Sequence, residues 1–323
     1  MQGTQLKSLQ ASGMTLIELV IVIVLLGILG ASFGLFIVPM VNGYNMQVQR
    51  AGLVDAGESA LRRMARDVRI AVPNSVRISA VGSGFALELV PTVDGGRFCA
   101  TGLIDCGSLA GGLSPTDRQV LDVTNTDSEF DIVGCFQDSS FTTAATATTG
   151  AYRLVVGNKS SEVYADSGSP KVITPSATSI TLSVDPSGTC GVGLNAARHH
   201  VTLGGSHKFC PDATSDDCNS RTPRQRVFVV KSAEAPVSYI CNPSAGVQTL
   251  TRYWNYTFNG TQPTSAPGGS SSALLASGVS ACSVTSTASD IQNTGIVVIS
   301  LTLSDRASET VTLMHQAQID NSQ

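Results

Sequence analysis

One carboxylate, Glu18, stands at the head of a run with no other charged side chain from Leu19 to Met40. An acidic group within a membrane-length apolar segment costs ~2.5–3.5 kcal/mol at the bilayer centre and less near the interface, unless a cation meets it. No Lys or Arg lies within a helical turn of Glu18. A cut between Gly13 and Met14 would give Met14 a new α-amino group and make Glu18 the fifth residue of the shortened chain. The amine of one copy would then neutralise Glu18 of the next in apolar surroundings. That chemistry is processing followed by ion pairing, with no turnover.

The other candidate groups lie further on. All eight cysteines follow the apolar run and none forms a C-x-x-C. That usage predicts disulfides in an oxidising compartment. Cys99 with Cys106 and Cys210 with Cys218 would each staple a short loop, worth about 2–3 kcal/mol in the chain-entropy model. Cys241 with Cys282 and Cys135 with Cys190 complete a set that spacing alone does not decide. Asp212, Asp216 and Asp217 offer hard oxygens for calcium, but without EF-hand spacing or a closing Glu, so a solvated acidic loop is expected. His199, His200, His207 and Cys210 are spaced irregularly for zinc and read as a surface hairpin. No G-x-S-x-G, H-E-x-x-H, P-loop or S-x-x-K is present, and no cofactor is expected. Tyr253, Trp254 and Tyr256 form the densest aromatic cluster; on a strand Tyr253 would face away from the other two, in a core or at a contact with a subunit or glycan.

The elements that would position these groups are legible from the pattern. A helix over Met14–Val38 would span roughly 37 Å, enough for a hydrocarbon core of about 30 Å. Gly30 and Gly34 form a G-x-x-x-G that allows close helix approach, with Gly27 and Pro39 on either side. From Asn45 to Ala71 the chain turns amphipathic: Leu53, Ala60, Leu61, Met64 and Val68 recur at helical spacing, with arginines between them. One helix from Met14 to Ala71, about 87 Å long, would end at Pro73-Asn74. Beyond it, short β-like runs are expected at 75–79, 86–90, 119–123, 152–156, 179–184, 226–231, 236–241, 250–256, 295–304 and 309–319. Loops are expected at 138–150 and 260–272. The 323-residue chain carries a net charge of −4 and 14% charged residues, which gives no reason to expect nucleic-acid binding. The fold class is therefore α+β: a long N-terminal helix, membrane-spanning in its first half, packed on an antiparallel β-rich domain with elaborated, disulfide-bearing insertions.

The segment Gly13-Met14-Thr15-Leu16-Ile17-Glu18-Leu19 resembles the type III signal of type IV pilins and pseudopilins. The family usually has Phe after the cut, where this chain has Met14. The order Val-Phe-Val-Val-Lys, Pro-Val-Ser-Tyr-Ile-Cys, Leu-Thr-Arg-Tyr-Trp-Asn-Tyr from Val227 onward is similar to minor pilins and pseudopilins of the PilW/GspJ kind. Leu61 to Arg69, Pro73 to Arg77 and the close Leu313-Met314-His315-Gln316 with Asp320-Asn321 look like an MSHA pilus biogenesis protein.

The resemblance implies cleavage after Gly13 by prepilin peptidase and N-methylation of Met14. It implies an assembly role for Glu18 and mid-helix melting that starts near Gly27, although the family's proline would fall near Leu35 rather than at Pro39. It divides the chain into a leader (1–13), a membrane and filament-core helix (14–41), its amphipathic continuation (42–73) and a periplasmic domain (74–323) with an elaboration at 92–222. It implies an inner-membrane protein that passes to a pilus, with major and minor pilins and an inner-membrane assembly platform as partners. A type II secretion pseudopilin, a tip adhesin and a membrane-anchored periplasmic enzyme are the rival readings.

Overall fold

The computed structural model describes residues 13–100, 119–144, 150–165, 171–185, 198–210, 218, 222, 224–243, 248–289, 294–305 and 309–320. The chain divides into two compact units, Met1–Gly52 and Leu53–Gln323. The helix α1, Leu16–Arg69, contributes to both. Its start and end each fall two residues inside the expected limits. Thr15 caps the start: its Oγ1 accepts the Glu18 N–H at 3.3 Å. At the other end Val72 donates its N–H to Val90 O at 2.8 Å, and Asn74 sits at φ 59°, so the chain leaves the helix before Pro73.

Within the first unit, α1 is long and apolar enough to cross a membrane. Its large apolar side chains from Leu16 to Val41 are exposed. The helix is unbroken through Gly27, Gly30, Gly34 and Pro39. Pro39 supplies no N–H to the Leu35 carbonyl, so one ladder bond is missing there.

Within the second unit, α1 buries Gly57, Ala60, Leu61, Met64, Ala65, Asp67 and Val68. Fourteen strands follow among the described residues. They are β1 (Arg77–Val81), β2 (Gly84–Leu89), β3 (Asp94–Arg97), β4 (Asp127–Asp131), β5 (Tyr152–Val156), β6 (Ile180–Asp185) and β7 (Arg198–His207), then β8 (Arg226–Lys231), β9 (Val237–Cys241), β10 (Thr249–Trp254), β11 (Ser271–Ser277), β12 (Val279–Ser289), β13 (Thr294–Ser304) and β14 (Thr310–Asp320). They form sheets ordered β1-β2-β9-β10-β11, β12-β13-β14, β3-β8-β5 and β4-β7-β6. Neighbouring strands run antiparallel throughout. The α+β class with antiparallel sheets is therefore observed.

Three apolar clusters hold these layers. The first joins Leu61, Met64 and Val68 of α1 to Leu87 and Tyr239 of the five-stranded sheet and to Val297, Ile299 and Leu301 of β13. The second is built on Phe98, Phe130, Phe141, Leu154, Val201 and Val229. The third, with Val72, Val90, Tyr164, Ile173, Val230 and Phe258, lies among the neighbouring sheets. Phe98–Phe130 and Phe130–Phe209 meet edge-on at 6.5 and 6.4 Å, the arrangement that ring quadrupoles favour.

Several elements differ from expectation. Residues 119–123 are not a strand, because Asp122 accepts hydrogen bonds from Thr124 and Asn125 and draws the chain into a turn. The expected loop at 138–150 opens with a short helix, α2 (Ser139–Ala144), capped by Asp138, whose Oδ1 accepts the Phe141 N–H at 2.7 Å. Strands β3, β4, β7, β11 and β12 fall outside the expected runs; Gly, Ser and charged residues mask their β signal, and pairing to a neighbour supplies what propensity lacks. Strand β8 lies between β3 and β5, so sequence from both sides of residue 222 shares one sheet.

Candidate functional site

At the N-terminus, Gly13 and Met14 precede the helix in irregular, exposed backbone. A Cβ built on Gly13 would meet nothing within 4 Å. Met14 is 62% exposed. Glu18 occupies the first turn of α1, where the unpaired N–H groups and the helix dipole favour a negative charge. Thr15 and Glu18 have the T-x-x-E spacing of a capping box, and the Thr15 half of it is formed. Sequence reasoning missed this second role, although the spacing announces it. Added Cβ atoms at Gly27, Gly30 and Gly34 likewise meet nothing within 4 Å, so the small-residue stripe is free within this chain.

Among the buried carboxylates of the β-rich unit, Asp67 and Glu88 organise much of the polar interior. Asp67, 3% exposed, accepts hydrogen bonds from Tyr239 Oη at 2.6 Å and Arg252 Nε at 2.9 Å, with Arg63 Nε 3.3 Å away. Burial first, then the Asp67 charge, pushes the Tyr239 hydroxyl well above its usual range. The signal was present in the sequence: Asp67 falls three residues after Met64 and seven after Ala60, on the apolar stripe.

Glu88, 1% exposed, is the second. Arg77 Nε donates to Glu88 Oε2 at 2.5 Å, and Tyr256 Oη donates to Oε1 at 2.8 Å. Burial raises the Glu88 carboxyl above its usual value, while Arg77 and Tyr256 pull it back. Arg77 also donates to the carbonyls of Asn259 and Gly260, and its guanidinium lies 3.7 Å from the Tyr164 ring centroid.

Tyr256 corrects the expected aromatic alternation. Asn255 at φ 58° ends the strand after Trp254, so Tyr256 leaves the pleat and reaches Glu88 and Ser238. Trp254 lies with its ring 5.0 Å from the Arg252 guanidinium.

The structure joins Cys210 to Cys218 and Cys241 to Cys282. Cys99 and Cys135 are also disulfide-bonded. Cys106 and Cys190, their expected partners, lie outside the described residues, as do Asp212, Asp216 and Asp217.

Two of the three histidines expected on a surface hairpin are not at the surface, while His200 is half-buried. His199 and His207 are buried on β7, and burial lowers the affinity of both for a proton. His199 accepts the Phe136 N–H at 3.0 Å and stacks on the Phe136 ring. His200 Nδ1 lies 2.8 Å from Asp131 Oδ1, and the same carboxylate meets Arg198. With Cys210 in a disulfide, that thiolate is not available as a metal ligand. Among the described residues no group of three His, Cys, Asp or Glu side chains is arranged to hold a metal.

No family model, curated protein or solved structure matches this chain.

Open clefts are found among the described residues, and two of them can be compared. One, of ≈ 390 Å³, is lined by Arg153, Ser176, Ser232, Tyr256 and Phe258. Arg153 is buried in it, donates to Thr174 O and lies 4.8 Å from the Phe258 ring. The other, of ≈ 370 Å³, is lined by Arg77, Lys159, Ser160, Thr287 and Ile319. No carboxylate or histidine lines either cleft, so neither presents a general acid–base pair among the described residues. The polar groups around Asp67 and Glu88 face the interior, where they tie α1 to β9 and β10 and tie β1 to β2.

Proposed function

We propose that this chain is a minor pilin-like subunit of a type IV, MSHA-like filament, acting through assembly rather than turnover. The observation that carries the reading is the segment Gly13-Met14-Thr15-Leu16-Ile17-Glu18 placed at the exposed head of an apolar helix of membrane length. In this reading prepilin peptidase cuts after Gly13 and the Met14 amine is methylated. The amine then pairs with Glu18 of a neighbouring subunit, which removes two charges from the apolar environment at once. The exposed apolar side chains of Leu16–Val41 exchange lipid for neighbouring helices, and the stripe of Gly27, Gly30 and Gly34 permits close approach. The β-rich unit, with disulfides at Cys210–Cys218 and Cys241–Cys282, faces an oxidising periplasm. Its size favours a low-copy role in starting assembly or at the filament tip.

The test is intact-mass and N-terminal analysis of the membrane-extracted protein. A chain that begins at N-methyl-Met14 is expected. A chain that retains residues 1–13 refutes the processed-subunit reading.

A further inference from the structure

The described residues hold two Asn-Gly steps, Asn42-Gly43 and Asn259-Gly260. In such a step the backbone nitrogen after the asparagine can attack the side-chain amide carbon, because glycine puts no Cβ in the way. The first step lies inside α1, where the helical ladder holds the Gly43 N–H on the Pro39 carbonyl. The second lies in exposed, irregular backbone after β10. There the Gly260 N–H meets no acceptor among the described residues. A Cβ built on Gly260 would meet nothing within 4 Å, so the approach to this nitrogen is open.

Hydrogen-bond donors converge on the second step. Arg77 Nη2 donates to the Asn259 carbonyl and Nη1 to the Gly260 carbonyl, each at 2.7 Å. Thr261 donates its N–H to Asn259 Oδ1 at 3.0 Å. Glu88 holds Arg77 by Nε, which fixes the guanidinium plane while both Nη groups reach the loop. The Asn259 carbonyl and the Gly260 nitrogen belong to one peptide unit. When that nitrogen loses its proton, the charge spreads onto the carbonyl oxygen, and a guanidinium hydrogen-bonded there favours the charged form. The Thr261 N–H polarises the side-chain amide of Asn259 and faces the oxygen on which charge develops during attack. Nucleophile and electrophile are thus both activated by groups already in place.

We propose that Asn259-Gly260 is a self-modifying site that closes to a succinimide in the folded protein. Hydroxide takes the Gly260 amide proton. The nitrogen then bonds to Asn259 Cγ, and the oxyanion that forms sits on Oδ1 against the Thr261 N–H. The tetrahedral centre expels the side-chain nitrogen as ammonia, which takes its last proton from water and regenerates hydroxide. Water opens the ring at either carbonyl and leaves an aspartyl or an isoaspartyl linkage at position 259. The sum is one water consumed and one ammonia released, with no change of oxidation state. In the isoaspartyl product the backbone carbonyl that accepts from Arg77 becomes the carboxylate, so a neutral acceptor of the guanidinium becomes a charged one. The inference stands independently of the filament reading.

The test is peptide-mapping mass spectrometry of the full chain in detergent micelles, aged near neutral pH in the native state and, separately, unfolded in urea. Loss of ammonia reports the succinimide, and the amide-to-acid mass gain reports its opened products. Native Asn259 is expected to convert at least about fivefold faster than unfolded Asn259, because unfolding removes Arg77 and Thr261 from their acceptors. Native Asn42, read from the same digest, is expected to lag behind Asn259. Gly260→Ala is expected to slow the native reaction by at least about tenfold. Arg77→Lys, with one nitrogen for two carbonyls, is expected to bring the native rate down to that of the unfolded chain. Equal or slower conversion in the native state overturns the inference, as does native Asn42 outpacing Asn259. So does a rate that Gly260→Ala leaves unchanged, which would mean direct hydrolysis of the side-chain amide, or a folded Arg77→Lys at the wild-type rate. Should Arg77→Lys lose its fold, the native-to-unfolded comparison of the wild type decides.

Discussion

Asp67, near the end of the long helix, accepts a 2.6 Å hydrogen bond from the hydroxyl of Tyr239, 172 residues further along the chain. Arg252, on the strand next to that of Tyr239, meets the same carboxylate oxygen at 2.9 Å. One buried carboxylate thus ties helix, β9 and β10 together. Removing one partner of a buried ion pair leaves the other charge uncompensated, which costs more than the pair itself contributes. Asp67→Ala is expected to destabilise the β-rich unit by about 3–5 kcal/mol. Tyr239→Phe is expected to cost only about 1 kcal/mol, since Arg252 still meets the carboxylate. Denaturant unfolding of the two variants checks both the size and the order.

Glu88 predicts a pH dependence of opposite sense to that of an exposed, ion-paired acid. Burial raises its folded-state pKa above the ordinary value of 4.5. Below that value the carboxyl is protonated in both states. As pH rises from there through the raised folded value, the unfolded chain releases its proton first, so the native state loses stability. Glu88→Gln abolishes the titration. The stability of wild type relative to Glu88→Gln is therefore expected to fall as pH rises above 4.5 and to level off once the folded group has ionised. A flat difference across that window would refute the assignment.

The Cys241–Cys282 disulfide closes a loop across a sequence separation of 41 and links β9 to β12, in different sheets. Chain entropy assigns such a bridge about 4 kcal/mol. A Cys241→Ser/Cys282→Ser double variant is expected to unfold at markedly lower denaturant, with a smaller change for the Cys210→Ser/Cys218→Ser variant, whose separation is 8. Equilibrium unfolding under non-reducing conditions measures the two shifts side by side.

The filament reading separates processing from assembly. Glu18→Val is expected to be cleaved normally after Gly13 yet to fail in assembly, since the Met14 amine loses its partner. Gly13→Ser is expected to accumulate as uncut precursor. Thr15→Ala, which removes the helix cap, is expected to loosen the first turn by about 1 kcal/mol, read as faster amide exchange at Glu18. Normal piliation with Glu18→Val would refute the pairing of Met14 with Glu18.

Residue order alone suffices for the parts of this fold whose signal is local. An uncharged run after Glu18 and a helical stripe through Met64 and Val68 specify α1, because backbone hydrogen bonds within a helix need no partner from elsewhere. Strands β5, β8, β9, β13 and β14 are legible because β-branched and apolar residues dominate them. The rest depends on segments that meet only in the folded chain. β3 and β11, rich in Gly and Ser, are strands because β8 and β10 supply their hydrogen bonds. β9 sits between β2 and β10, a neighbourhood set by packing and not by sequence distance. His199 and His207 of β7 lie inside because Phe136 and Phe209 cover them, which no spacing rule foresees. Asp67 shows its burial in one dimension only by its place on the apolar stripe, and Glu88 shows nothing. Each becomes a buried anchor only where Arg252 or Arg77 arrives from a distant or neighbouring strand, because a charge leaves water only when its partner is already in place.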